Sequence, residues 1–267
     1  MQIIQYLHAQ LAVAEAQELS TGLTMVYSAP APGKESFNED AAALVSVEPD
    51  AGVLIVADGV GGQQAGDEAA HIAVDSIIGA IRDNQENQSL RDSILDGIER
   101  ANRRILAMGK GSATTVVVAE IQRTQLRTYY VGDSLILVTG QRGRLKFQNT
   151  SHSPVGYALE SGFIDEEEAI HHEERNLVSN VIGTAEMSIE IGPVMTISPR
   201  DTLVLASDSL PDNLYVEEII ENIRTGKLEQ VAARLTGIVD QRMRNPEPGH
   251  PGHSDDFTFI LYRPAPG

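Results

Sequence analysis

Apolar runs that end on a carboxylate constrain this chain more than any other feature. "GVLIVAD" delivers Asp58, "YYVGDS" delivers Asp133 and "LVLASDS" delivers Asp208, each at the close of a strand-like segment. Asp256, in "HSDDF", opens a strand instead, and Asp40 closes "FNED" immediately before "AAALVSV". One carboxylate at a strand end is most simply a solvated surface residue. If the fold brings all these ends together, they form an oxygen-only, strongly negative pocket that requires cations. Hard divalent ions such as Mg²⁺ or Mn²⁺ are its natural partners. Spacing alone leaves that convergence open, since Asp58 and Asp208 are 150 residues apart.

Asp58 sits in "VADGVGGQQAGDEAA", with Gly59, Gly61 and Gly62 around it. Such glycines either relieve strain in a tight turn or let backbone and carboxylate oxygens approach a ligand. Two phosphate-binding motifs fail here. The third glycine of a dinucleotide fingerprint falls on Gln64, and the Gly-Lys-Ser/Thr of a P-loop is missing.

Composition narrows the class further. The 267 residues are 42% hydrophobic, enough for a substantial core. Acidic residues outnumber basic ones 38 to 20, and the net charge of −18 disfavours nucleic acid and anionic membranes as partners. The chain contains no cysteine, which excludes thiolate nucleophiles, disulfides and cysteine-ligated metals. No apolar run approaches the ~20 residues of a membrane helix, and the N-terminus lacks the character of a signal peptide. The chain therefore reads as soluble and cytoplasmic.

Ile3, Ile4, Leu7, Leu11, Ala14 and Leu19 are spaced as on a helix, which predicts an N-terminal helical extension over 1–21. One domain is expected over 22–267. Its strands are "LTMVYSA", a hairpin of "AAALVSV" and "GVLIVAD" joined through Glu48 to Gly52, "ATTVVVAEI", "QLRTYYVGDSLILVTG", "RLKFQNT", "MSIEIGPVMTI", "DTLVLASD" and "FTFILYR". Helices fit "GDEAAHIAVDSIIGAI", "QSLRDSILDGIERANRRILAMG", "NLYVEEIIENIRTG" and "KLEQVAARLTGIVDQRMR". Hairpins and helix pairs arriving in blocks imply α+β layers with a mainly antiparallel sheet.

"FNED", "VADGVGGQQAGDEAA", "GSATTVVVAEI", "YYVGDS", "LASDSLPDNL" and "SDDFTFIL", in that order, resemble the motifs of bacterial metal-dependent serine/threonine phosphatases of the PP2C (PPM) type. The likeness spans about Gly22 to Arg263, and "SHSPVGYALESGFIDEEEAIHHEERNLVSNVIGT" is similar to the flap of bacterial members. It implies an α/β/β/α sandwich of two antiparallel sheets flanked by helices. It also implies two Mg²⁺ or Mn²⁺ ions in the core site and a third, weaker one. Carried over, Asp58 bridges two ions and the Gly59 carbonyl ligates one. Asp208 and Asp256 complete the first site, Glu39 and Asp40 serve the second, and Asp133 serves the third. A water shared by the two ions attacks phosphorus directly, without a phosphoenzyme. The implied partners are phosphorylated proteins and a serine/threonine kinase pathway.

The chain departs from the family pattern at several points. Glu35 stands where relatives carry a phosphate-gripping arginine. Lys34, one step earlier, either supplies that charge without the forked geometry or is a solvated loop residue. Ser209 replaces a glycine, Leu135 an arginine, and Val60 a histidine of eukaryotic members. His152 is read as a surface residue with proton transfer as the alternative, His171 and His172 as an exposed helix end, and His250 and His253 as loop residues. The run Asp165 to Ala169 is read as a solvated helix start. Two rivals remain: a pseudophosphatase that keeps the fold as a binding module, and a phosphatase for small esters.

Overall fold

Alternate residues of Ala41–Val47 (β4) and Ala51–Ala57 (β5) enter different cores. Ala41, Ala43, Val45, Val53, Ile55 and Ala57 pack beneath helices, whereas Ala42, Leu44, Leu54 and Val56 face a second sheet. Both faces are buried, so apart from Ser46 these antiparallel strands carry no polar side chain, instead of alternating with polar residues. The computed structural model describes residues 1–47, 50–60, 65–84, 88–247 and 249–265. The predicted hairpin corner at Glu48 and Pro49, and the loop glycines Gly61 and Gly62, lie outside the described residues.

The first sheet runs β1 (Gln2–Leu7), β4, β5, β6 (Val116–Gln122), β7 (Gln125–Val131) and β10 (Glu190–Ile191), with β11 (Met195–Thr196) also on β7. The second runs β2 (Glu15–Leu19), β3 (Gly22–Ala29), β13 (Phe257–Pro264), β12 (Asp201–Ala206), β8 (Leu135–Gly140) and β9 (Leu145–Gln148). The pairings within each sheet are antiparallel. Helices α1 (Gly66–Arg82) and α2 (Leu90–Met108) cover the outer face of the first sheet. Helices α5 (Val216–Ile223) and α6 (Leu228–Arg244) cover that of the second. Short helices α3 (Pro154–Glu160) and α4 (Glu166–Ile170) occupy the segment between β9 and β10. The predicted α/β/β/α sandwich is what forms.

The predicted N-terminal helix does not form. Residues 2–7 pair with β4 and residues 15–19 pair with β3, so the segment adds an edge strand to each sheet. Ile3 and Leu7 pack toward the helices, while Ile4 and Tyr6 pack between the sheets. A strand with apolar residues on both faces places Ile3 and Ile4 side by side, and with Leu7 and Leu11 this imitates helical spacing. The segment predicted as one strand over 125–140 is also two. Gly132 has φ +108°, and a Cβ there would lie 2.5 Å from Thr115 Cβ, so only glycine permits the turn at which the chain leaves the first sheet for the second.

Candidate active site

Register places the carboxylates at one end of the sandwich. Ala41 opposes Ala57, so Asp40 and Asp58 adjoin across β4 and β5. Leu135 opposes Ala206, and Ala206 opposes Phe259, which brings Asp133, Asp208 and the start of β13 to that same end. Phe257 opposes Ala29, so the loop carrying Lys34 begins there as well.

The β3–β4 loop is fixed by Asn38, which is buried. Its side-chain amide donates to Ala9 O at 3.0 Å and Ser28 Oγ at 2.9 Å, and its Oδ1 accepts the Asp40 amide at 3.0 Å. Asp40 is only 1% exposed, and its Oδ2 has no hydrogen-bond partner among the described residues. Burial, reinforced by the charge of Asp256, pushes its carboxyl up to about 7. Asp58 is pushed well above the ordinary carboxylate range, first by burial and then by Asp208, Asp40, Asp133 and Asp255. Asp208 behaves likewise, through burial and then Asp212, Asp133, Asp255 and Asp40. Burial raises Asp133 to about 6. These groups feel one another's charge in a poorly solvated place, so ionising all of them demands cations. Among the described residues, no three histidine or acidic side chains already stand close enough to hold an ion as they are. The donor set is nonetheless all oxygen, and the orphaned Asp40 oxygen points to an unfilled bonding capacity. The residues therefore fit hard divalent cations.

Backbone contacts hold Asp58 in place. Its carbonyl accepts Thr114 Oγ1 at 2.7 Å and the Thr115 amide at 2.8 Å. A Cβ on Gly59 would lie 2.5 Å from Gly66 C and O and 2.9 Å from Glu39 O. Gly59 thus lets the start of α1 and the Glu39 backbone meet against it, a requirement independent of any ligand.

Asp255 and Asp256 make different contacts. Asp256 Oδ1 accepts the Ala31 amide at 2.9 Å, while Oδ2 accepts the Glu39 amide and Lys34 Nζ, each at 2.7 Å. It is a loop anchor. Asp255 is the neighbour whose charge bears on Asp58, Asp208 and Asp40 alike, and burial raises its own carboxyl. Sequence reasoning missed Asp255 because two adjacent aspartates at a strand start carry no signal of which one faces inward. Asp212 was missed too, although "SDSLPDN" places it one helical turn after Asp208. The Asp208 carbonyl accepts the Asp212 amide at 2.9 Å.

Lys34 is not a solvated loop residue. Its side chain is 19% exposed and also bonds Glu39 Oε2 at 2.7 Å, whereas Glu35 is exposed. Burial disfavours the ammonium, but the Asp256 and Glu39 carboxylates outweigh that and hold its pKa above the ordinary lysine value. Ser209 is buried, and its hydroxyl donates to Asp256 O. His152 is buried at 2% exposure and not on the surface. Its Nδ1 accepts the Gly132 amide at 3.1 Å, which leaves Nε2–H to donate to Glu190 Oε2 at 3.0 Å. That bond steadies the turn carrying Asp133.

A cavity of about 400 Å³ adjoins these carboxylates, with Asp133, Asp208 and Asp212 on one side and α3 and α4 on the other. Arg175 lines it, held by a bond from Nη1 to Ile170 O at 2.8 Å. Helix α4 begins in a capping box between Asp165 and Glu168, as its acidic start predicts, and Glu166 reaches across to accept the Val216 amide at 2.6 Å. His171, His172 and His250 are exposed.

A double antiparallel sandwich with buried and half-buried acidic residues gathered at one end is the arrangement of a class of metal-dependent phosphatases. Residues 32–242 match the protein phosphatase 2C family, and the chain belongs to it. The serine/threonine phosphatase stp of Listeria welshimeri is 29% identical over 200 residues, covering 71% of this chain and 78% of the relative. Protein phosphatase PhpP of Streptococcus pneumoniae is 32% identical over 176 residues, covering 62% of this chain and 70% of the relative. Among solved structures, the serine/threonine phosphatase Stp1 of Staphylococcus aureus superposes with a TM-score of 0.79 at 24% identity, over 94% of this chain and all of that one. The catalytic domain of the phosphatase PstP, solved with two manganese ions, gives 0.69 at 21% identity, over 90% of this chain and 96% of that one. The protein is a protein-serine/threonine phosphatase.

Proposed function

We propose that this phosphatase hydrolyses phosphoserine and phosphothreonine on proteins with two divalent ions, Mg²⁺ or Mn²⁺, and a third held more weakly. The observation that carries the proposal is the gathering of buried Asp40 with half-buried Asp58, Asp208 and Asp255, in which Asp255 bears on the other three and Asp208 and Asp40 both raise Asp58. Asp58, the Gly59 carbonyl, Asp208 and Asp255 are the residues that would hold the first ion, with Asp58 shared. Glu39 and Asp40 would serve the second. Asp133 and Asp212, which bear on Asp208 together, would serve the third. Asp256, first assigned to the ion, supports the site by anchoring the Glu39 backbone. Bound ions supply an activated water and neutralise phosphoryl charge.

The chain's own residues set the stage for that chemistry. Asn38 and Asp256 fix the backbone on either side of Glu39, and Thr114 and Thr115 fix Asp58. Arg175 offers the cavity beside Asp208 a guanidinium for a phosphorylated segment. Its setting is read as cytoplasmic, with a serine/threonine kinase supplying the phosphoproteins.

The test is phosphate release from a phosphothreonine peptide with Mn²⁺, Mg²⁺ or chelator, for the wild type, Asp58→Ala and Asp208→Ala. Turnover should require a metal and fall in both variants by more than the ~10–100-fold that loss of an outer-sphere partner costs. A folded wild type inactive with every metal and phosphopeptide would overturn the reading.

A further inference from the structure

We infer that Lys34 is a tethered cation that competes with the divalent ion for Glu39, and so sets the affinity of that part of the site. The inference rests on the two-ion reading above. Lys34 Nζ lies 2.7 Å from Glu39 Oε2 and 2.7 Å from Asp256 Oδ2, bridging two carboxylates of different standing.

Asp256 is committed to the fold, since its oxygens also accept the Ala31 and Glu39 amides and its side chain is 4% exposed. Among the described residues, the Glu39 carboxylate has no such commitment. Its side chain is 31% exposed, and Lys34 is the partner that holds its carboxylate. The ammonium is therefore anchored at one end and makes an exchangeable bond at the other. A divalent ion that takes Glu39 must break that bond and face a positive charge held close by, because Lys34 remains paired with Asp256.

Several features make Lys34 a built part of the site. It hangs from a loop whose two flanks are pinned to one carboxylate, because Ala31 and Glu39 both donate to Asp256. The Lys34 amide donates to Ala31 O at 3.0 Å, closing a turn that aims the side chain inward. Glu35, the next residue, is exposed and does not share the role. A lysine suits such a role better than an arginine. A compact ammonium can bridge two oxygens and let one go, whereas a guanidinium fork would grip a single carboxylate at two points.

The experiment is calorimetric titration of the metal-free protein with Mn²⁺ alone, on the wild type, Lys34→Met, Lys34→Arg, Glu39→Gln and the double variant Lys34→Met/Glu39→Gln. Chelated melting temperatures serve as the check on folding. Lys34→Met should bind the Glu39-dependent ion roughly tenfold tighter or more, a ratio equivalent to about 1.4 kcal/mol. In the Glu39→Gln background the same change should have little effect, since the contested carboxylate is gone. Lys34→Arg should stay near or below wild-type affinity. Equal isotherms for wild type and Lys34→Met would overturn the inference, as would a tightening that persists undiminished in the Glu39→Gln background, because that reports only net charge. A protein that binds no Mn²⁺ in any variant would instead overturn the two-ion reading itself, and this inference with it.

Discussion

The Ser209 hydroxyl donates to the backbone carbonyl of Asp256, joining the end of β12 to the start of β13 beneath the carboxylates. The same turn is tied again by Asn213, whose amide nitrogen donates to Ser209 O at 2.8 Å and His253 O at 2.8 Å. Ser209→Ala leaves a buried carbonyl short of its donor, at a cost of about 1–3 kcal/mol. Denaturant melts should show that loss with an unchanged slope. Ser209→Gly, the residue of the wider family pattern, should be no more stable than the alanine variant. A glycine variant as stable as wild type would show that the hydroxyl is dispensable.

Protonation gives the metal-free protein an unusual pH dependence. Asp40 titrates at about 7 and Asp133 at about 6, both raised from 3.8, chiefly by burial. The folded state therefore holds protons that the unfolded chain has already released. The stability tied to them is complete below the ordinary carboxylate pKa and is lost as pH rises through about 6 and 7. In chelator, the melting temperature should fall from pH 5 to pH 7.5. Excess Mn²⁺ should flatten or reverse that slope, because ion binding needs ionised carboxylates. Identical slopes with and without the metal would contradict the proposed site.

His152 supports the turn that carries Asp133. His152→Ala removes the acceptor of the Gly132 amide and the donor to Glu190. Amide exchange at Gly132 should accelerate at least tenfold, and the protein should lose about 2 kcal/mol, in line with a buried hydrogen-bonded group. His152→Gln retains an acceptor and should restore part of the protection. Unchanged exchange in His152→Ala would refute the positioning role.

The cores were legible in the sequence because strands buried on both faces leave long apolar runs, and helices α1, α2, α5 and α6 carry clear periodicity. Carboxylates at strand ends were legible for the same reason: each run stops immediately before its aspartate or one residue short of it. The edge strands were not, since Ile3, Ile4, Leu7 and Leu11 satisfy either period until a partner strand fixes the register. The choice between Asp255 and Asp256 was also hidden. It depends on which side of β13 faces the cleft, which only the pairing with β3 and β12 decides. The burial of His152 escaped for a different reason. Its partner Glu190 is 38 residues away, and one sequence records no such contact. Lys34 was legible as a candidate cation, but its contact with Asp256, 222 residues away, was not.

Strand β13 lies between β3 and β12, so the second sheet stays in two pieces until residues 257–264 slot into the gap. That insertion also delivers Asp255 and Asp256, and with them the anchor of the Lys34 loop. A ribosome-bound chain that has exposed everything up to α6 would thus carry Asp58 and Asp208 yet have no assembled cleft. Assembly of the cleft therefore waits for β13 to find both neighbours, and its pairing with β3, of very long sequence separation, is the slow kind of contact to form.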